Sequence, residues 1–124
     1  MGKSILVVDD NQFVRACMSK MLEASGFETR QAADGAEAFQ MAVASPPDLV
    51  VADYTMPKMN GADLVRAIRS STLRALPVLA VASTQQSESE MLEAGANMYL
   101  SKPIDEPRLI SSVCSLLHLP MNKE

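Results

Sequence analysis

The chain has 124 residues, 48% of them hydrophobic and 21% charged, with 11 basic against 15 acidic side chains and a formal charge of −4. That length allows one compact domain whose core needs no disulfide or metal staple, and the composition excludes a disordered chain. No cluster of Lys and Arg offers a nucleic-acid-binding face, and the longest apolar run, Ala75–Ala82, is broken by Pro77 and too short to span a bilayer.

The first element expected is a strand at Ser4–Val8, continuously apolar and ending at Asp9-Asp10. Val14, Cys17, Met18, Met21, Leu22 and Ser25 then recur at three and four, as on one face of a helix. Asn11 can cap its start and Gly26 supplies a left-handed stop. Phe27–Ala32 reads as a weaker second strand. Asp34-Gly35 turns the chain into a helix carrying Ala38, Phe39, Ala42 and Val43, ended by Pro46-Pro47.

Asp48–Ala52 is the third strand, again ending in an aspartate, Asp53. Ala62–Ser70 reads as a third helix through Leu64, Val65 and Ile68, and Pro77–Ala82 as a fourth strand. A polar stretch, Ser83 to Glu90, leads into a short fourth helix marked by Met91, Leu92 and Gly95. Met98–Leu100 is a brief fifth strand. Pro107–Leu119 completes the set, with Leu109, Ile110, Val113, Leu116 and Leu117 on one face.

Five strands alternating with five helices predict an α/β fold, a doubly wound parallel sheet covered on both faces. The strands are apolar throughout rather than alternating, as strands covered on both faces should be. With no linker or repeat in sight, the expected domain is the whole chain, 1–124. Its ending, Leu119 to Glu124, would serve as a tail or as the start of a linker.

Cys17 and Cys114 have no ligand spacing and read as buried free thiols, and the lone His118 as a surface residue at a helix end. Only four apolar residues, Ile5–Val8, precede Asp9, which makes no signal peptide. Leu6 stands where a myristoylation signal needs Ser or Thr. The expected compartment is the cytoplasm.

Ligands of such sheets bind outside the carboxyl ends of the strands, where the strand order reverses. In the order 2-1-3-4-5 the first and third strands are neighbours, so Asp9, Asp10 and Asp53 converge at one edge. Like charges about 4 Å apart repel by roughly 4 kcal/mol at an effective dielectric of 20, and a cation is the natural remedy. An all-oxygen set that leaves positions for water and phosphate oxygens suits Mg²⁺. Lys102, following the fifth strand, can reach over the same edge and neutralise an anion. A cis bond at Pro103 would fix its approach.

Taken together, Val7-Val8-Asp9-Asp10-Asn11, Asp53-Tyr54-Thr55-Met56-Pro57-Lys58-Met59-Asn60-Gly61, Ala94-Gly95-Ala96 and Lys102-Pro103 resemble the receiver domain of two-component response regulators. The resemblance runs end to end and implies the flavodoxin-like, CheY-like fold of order 2-1-3-4-5. It implies Asp53 as phosphoacceptor from a sensor histidine kinase or histidine phosphotransfer protein. Mg²⁺ would be held by Asp10, Asp53 and the backbone carbonyl of Thr55, with Asp9 acting mainly through water. Lys102 would pair with the phosphoryl oxygens. Such a protein would catalyse only its own phosphorylation and dephosphorylation, and signal by changing its binding to an output protein, without nucleic acid or membrane. Gly61 would adopt a backbone geometry that other residues resist, and Asn60 replaces a common Asp.

The pattern breaks at one place. Relatives carry Thr or Ser at the end of the fourth strand, where this chain has Ala82, followed by Ser83 and Thr84. Either the register slips and Ser83 takes the role, or the hydroxyl is missing. Tyr99 matches the aromatic switch position. Two further readings stay open: an unphosphorylated interaction module on the same scaffold, and a small Mg²⁺-dependent enzyme acting on a phosphorylated metabolite.

Overall fold

The structure, a computed structural model, describes residues 2–120; the last four residues of the expected tail lie outside the described residues. The elements run β1 (Ser4–Val8), α1 (Gln12–Ala24), β2 (Glu28–Ala32), α2 (Gly35–Ala44) and β3 (Leu49–Asp53). They continue with α3 (Gly61–Arg69), β4 (Val78–Ala82), α4 (Gln85–Ala94), β5 (Met98–Ser101) and α5 (Glu106–Leu117). All four strand pairings are parallel, in the order β2-β1-β3-β4-β5.

Strand alternation divides the core into two layers. Leu6, Val8, Val50, Ala52, Val78 and Ala80 pack with Ala38, Ala42, Leu64, Val65, Ile68 and Met91 of α2, α3 and α4. Ile5, Val7, Leu49, Val51, Leu79 and Val81 face the other way, against Met18 and Leu22 of α1 and Leu109 and Val113 of α5. Val43 is the exception on α2: it turns outward and is exposed.

Most boundaries follow from capping chemistry. Asn11 accepts from the Val14 N–H, Asp34 from the Glu37 N–H and Asp105 from the Arg108 N–H, each satisfying an orphan donor of the first turn. Gly26 has φ 96° just past α1, and Gly95 (φ 119°) ends α4. His118, exposed and at φ 58°, is the C-cap of α5.

Two expectations need correction here. The polar stretch after β4 is not a lead-in: α4 starts at Gln85, because Thr84 and Ser87 form a reciprocal capping box and Gln and Glu are good helix formers. Cys17 is only half-buried, because its turn of α1 borders a cleft; Cys114 is buried as expected.

Candidate functional site

β1 and β3 are adjacent, with Val8 opposite Ala52, so Asp9 and Asp53 leave the sheet side by side. Asp9, Asp10 and Asp53 can each place one carboxylate oxygen within 4.8 Å of the others. Asp9 and Asp53 are almost wholly buried, at 0% and 3% exposure, while Asp10 is exposed. This juxtaposition of strand ends is what the sequence pattern predicted for the three aspartates.

Lys102 arrives from the end of β5, its N–H donating to the Ala82 carbonyl at 3.0 Å and its peptide bond to Pro103 cis. Its ammonium lies 3.1 Å from an Asp53 oxygen and 3.8 Å from Asp9. One cation therefore spans two buried anions. The balance still leaves both carboxyls above their ordinary range, in each case chiefly because burial strips water from the charged form. At Asp53 the neighbouring Asp9 charge adds to the effect, and Lys102 opposes it.

The surrounding contacts hold the aspartates in place. Asp9 Oδ1 accepts from the Asn11 N–H at 2.8 Å, and the Arg15 guanidinium donates to the Asp9 carbonyl at 2.8 Å. Asp9 Oδ2 is buried without a hydrogen-bond partner among the described residues. A buried carboxylate oxygen with no hydrogen-bond donor, facing only the Lys102 ammonium at 3.8 Å, within a carboxylate trio is a donor set that a small, hard divalent cation takes, so the residues fit Mg²⁺.

The turn after Asp53 is built on a close approach. The Gly61 N–H donates to the Tyr54 carbonyl at 2.8 Å. A Cβ on Gly61 would collide with the Asp53 carbonyl and come within 2.6 Å of Met91 Cε. The expectation that Gly61 needs an unusual backbone geometry is thus corrected: what excludes a side chain is space, and the left-handed residue in this turn is Lys58, at φ 70°. Asn60 caps α3 in a reciprocal box with Asp63, and Thr55 is exposed beside the site.

Of the three residues that the sequence pattern singled out for switching, Ala82 is the last residue of β4, buried and paired opposite Ser101. Ser83 is exposed and lines a cleft of about 450 Å³ with Phe13, Cys17, Lys102 and Ile104. Tyr99 is 40% exposed, with the Glu88 carboxylate of α4 beside its hydroxyl raising its pKa. One feature escaped the sequence: the Tyr54 hydroxyl donates to Glu90 Oε1 at 2.6 Å, tying the residue after Asp53 to α4. No spacing rule links two positions so far apart.

Residues 5–114 match the model of the response regulator receiver domain. The polar-differentiation response regulator DivK of Brucella anthropi is 33% identical over 120 residues, covering 94% of this chain and 98% of that protein. The chemotaxis protein CheY4 of Vibrio cholerae superposes with a TM-score of 0.86 at 30% identity, over 94% of this chain and all of that one. The receiver domain of a sensor histidine kinase from Pseudomonas aeruginosa, with a magnesium ion coordinated in its active-site cleft, gives a TM-score of 0.90 at 28% identity. It covers 95% of this chain and 99% of that one.

Proposed function

The chain belongs to the response regulator receiver domain family, whose members are the phosphoacceptor modules of two-component systems, and from that premise we propose that Asp53 is its phosphoacceptor and Lys102 its phosphoryl-binding cation. The observation that carries this reading is the buried Asp53 carboxylate, 3.1 Å from Lys102 and within a trio of carboxylates. An Asp53 oxygen attacks the phosphorus of a phosphohistidine or a small phosphodonor. The P–N or P–O bond to the donor breaks as the P–O bond to Asp53 forms, and the leaving group keeps the electron pair and takes up a proton. Hydrolysis by water returns the carboxylate and releases phosphate.

Asp10, Asp53 and the Thr55 carbonyl would hold Mg²⁺, with Asp9 acting through water. When bound, the metal neutralises charge on the transferring phosphoryl group. Lys102 does the same from the protein side, preorganised by its hold on Asp53 and Asp9, at the stage where charge stabilisation counts most. Ser83 shares a cleft with Lys102, Ala82 leaves the end of β4 without a hydroxyl, and Tyr99 occupies the aromatic position on β5.

In this reading residues 1–124 act as one receiver, catalysing only their own phosphorylation and dephosphorylation. The phosphodonor is a sensor histidine kinase or a histidine phosphotransfer protein, the output is a protein whose binding changes, and the setting is the cytoplasm. None of the helices among the described residues is long and apolar enough to cross a membrane. The test is incubation with acetyl phosphate and Mg²⁺, followed by intact-mass measurement at acid pH. One phosphoryl group gained by the wild type and none by Asp53→Asn supports the assignment. No gain at all would favour an unphosphorylated interaction module, and donor turnover to a new product would favour an enzyme.

A further inference from the structure

Charge that appears on Asp53 needs a path to the surface, and the end of β4 offers none through a side chain. Ala82 has no donor. The next two hydroxyls are placed otherwise: Ser83 is exposed in the cleft beside α1, and Thr84 is engaged with Ser87, accepting from its N–H at 3.0 Å and lying 2.6 Å from its hydroxyl.

Tyr54 is differently placed. Its main chain is pinned between neighbours, the N–H donating to Val81 O at 3.0 Å and the carbonyl accepting from Gly61 at 2.8 Å. Its ring is half-buried against the α2–α4 layer of the core, and its hydroxyl reaches Glu90 Oε1 at 2.6 Å. Glu90 also accepts from Gln86 at 3.3 Å. Tyr54, Thr84, Gln86, Ser87 and Glu90 together line a cavity of about 230 Å³. Among the described residues, this is the one side-chain hydrogen bond from the end of β3 to α4.

We propose that the Tyr54–Glu90 hydrogen bond is the link through which phosphorylation of Asp53 moves α4, in place of a hydroxyl at the end of β4. The proposal rests on the assignment of Asp53 as phosphoacceptor. Forming the acyl phosphate removes the carboxylate charge that Lys102 holds at 3.1 Å and adds roughly two negative charges further out. The first change alters what holds Asp53, whose main chain runs directly into Tyr54. The second adds like charge to the residue that precedes Tyr54, whose hydroxyl Glu90 holds, and a hydrogen bond to a charged acceptor is strong enough to carry a bias between two positions of a helix. Because Tyr54 and Glu90 are joined directly, both effects act on the same turn of α4.

The experiment is amide NMR of the full chain with and without beryllofluoride and Mg²⁺, in wild type, Tyr54→Phe, Glu90→Ala, Glu90→Gln and Ser83→Ala. In wild type, amides of Gln86–Ala94 shift along with those beside Asp53 and Lys102. In Tyr54→Phe and Glu90→Ala the α4 shifts fall by about half or more while the shifts beside Asp53 remain, because the helix loses the bias and the site keeps its ligand. Glu90→Gln keeps an acceptor but loses the charge and retains part of the response, between wild type and Glu90→Ala, and Ser83→Ala leaves the response as in wild type. Full α4 shifts in Tyr54→Phe, or loss of the response in Ser83→Ala alone, would overturn the proposal, as would a wild type whose α4 stays still. Absence of any shift beside Asp53 in the wild type would instead remove the phosphoacceptor assignment, and the proposal with it.

Discussion

The Lys102 ammonium lies 3.1 Å from an Asp53 oxygen, and the chain must run through two strands and two helices to bring them together. The pair is the electrostatic centre of the site. Lys102 stabilises a carboxylate that its own burial would otherwise neutralise, and in the proposed reaction the same cation would meet the incoming phosphoryl group. Lys102→Ala should therefore slow phosphoryl uptake from acetyl phosphate by at least about tenfold while leaving Asp53 as the modified residue, measured by the rate of mass gain. An unchanged rate would remove Lys102 from the site.

Burial and Asp9 hold the Asp53 carboxyl above its ordinary value, so the metal-free native state binds a proton more tightly than the unfolded chain does. Stability contributed by that proton is full below the ordinary value near 3.8 and is lost as pH rises through the raised value. Asp53→Asn, neutral at every pH, does not lose it. The stability difference between Asp53→Asn and wild type without metal should therefore widen from pH 4 to pH 7, read from urea midpoints at matched slopes. A constant difference would contradict the electrostatic account.

Mg²⁺ should raise the stability of the wild type by RT ln(1 + [Mg²⁺]/Kd), about 2.7 kcal/mol at a hundredfold excess over Kd. Asp10→Asn should weaken that binding. Because Asp10 is exposed, it should change metal-free stability by no more than about 0.5 kcal/mol. Asp53→Asn should weaken metal binding and raise metal-free stability together. Thermal melts with and without Mg²⁺ separate the two variants, and an Asp53→Asn protein less stable than wild type without metal would count against the cluster.

Gly61→Ala places a methyl group against the Asp53 carbonyl, 2.6 Å from Met91 Cε and 2.9 Å from Tyr54 Cα. Backbone on two sides cannot yield as a flexible side chain can. The substitution should cost about 1–3 kcal/mol in denaturant unfolding and displace the Asp53 main chain, lowering Mg²⁺ affinity as well. Loss of stability without loss of affinity would show that the turn can shift independently of the site.

Arg69 closes the opposite end of the sheet. It donates to the carbonyls of Gly95, Arg74 and Leu76, at 3.0, 3.0 and 2.7 Å, and to Asn97 Oδ1 at 2.8 Å. Arg69→Met keeps much of the stem and takes the guanidinium donors from the three carbonyls, while Asn97 Oδ1 keeps the Val78 N–H, which should lower stability by about 2–4 kcal/mol in chemical denaturation. Acetyl phosphate labelling of Asp53 should persist in the folded variant, because Arg69's partners precede β4 and β5 while the carboxylates lie at the far ends of the strands.

The alternation of apolar runs with helical periodicity determined the α/β class, and Asn11, Asp34 and Gly26 determined helix ends, because caps and left-handed stops act over a few neighbouring residues. Aspartates ending the first and third strands were legible too, since a parallel sheet delivers strand ends to one edge. The start of α4 was not legible: its apolar face is short, and Thr84 and Ser87 act as a capping box only once their geometry is formed. Nor could local pattern separate the burial of Asp9 from the exposure of Asp10, which depends on how α1 and the β5–α5 loop close over the edge. Tyr54 and Glu90 lay furthest beyond reach. Each is unremarkable in its own segment, and their bond exists because β3 and α4 are packed together by the core between them.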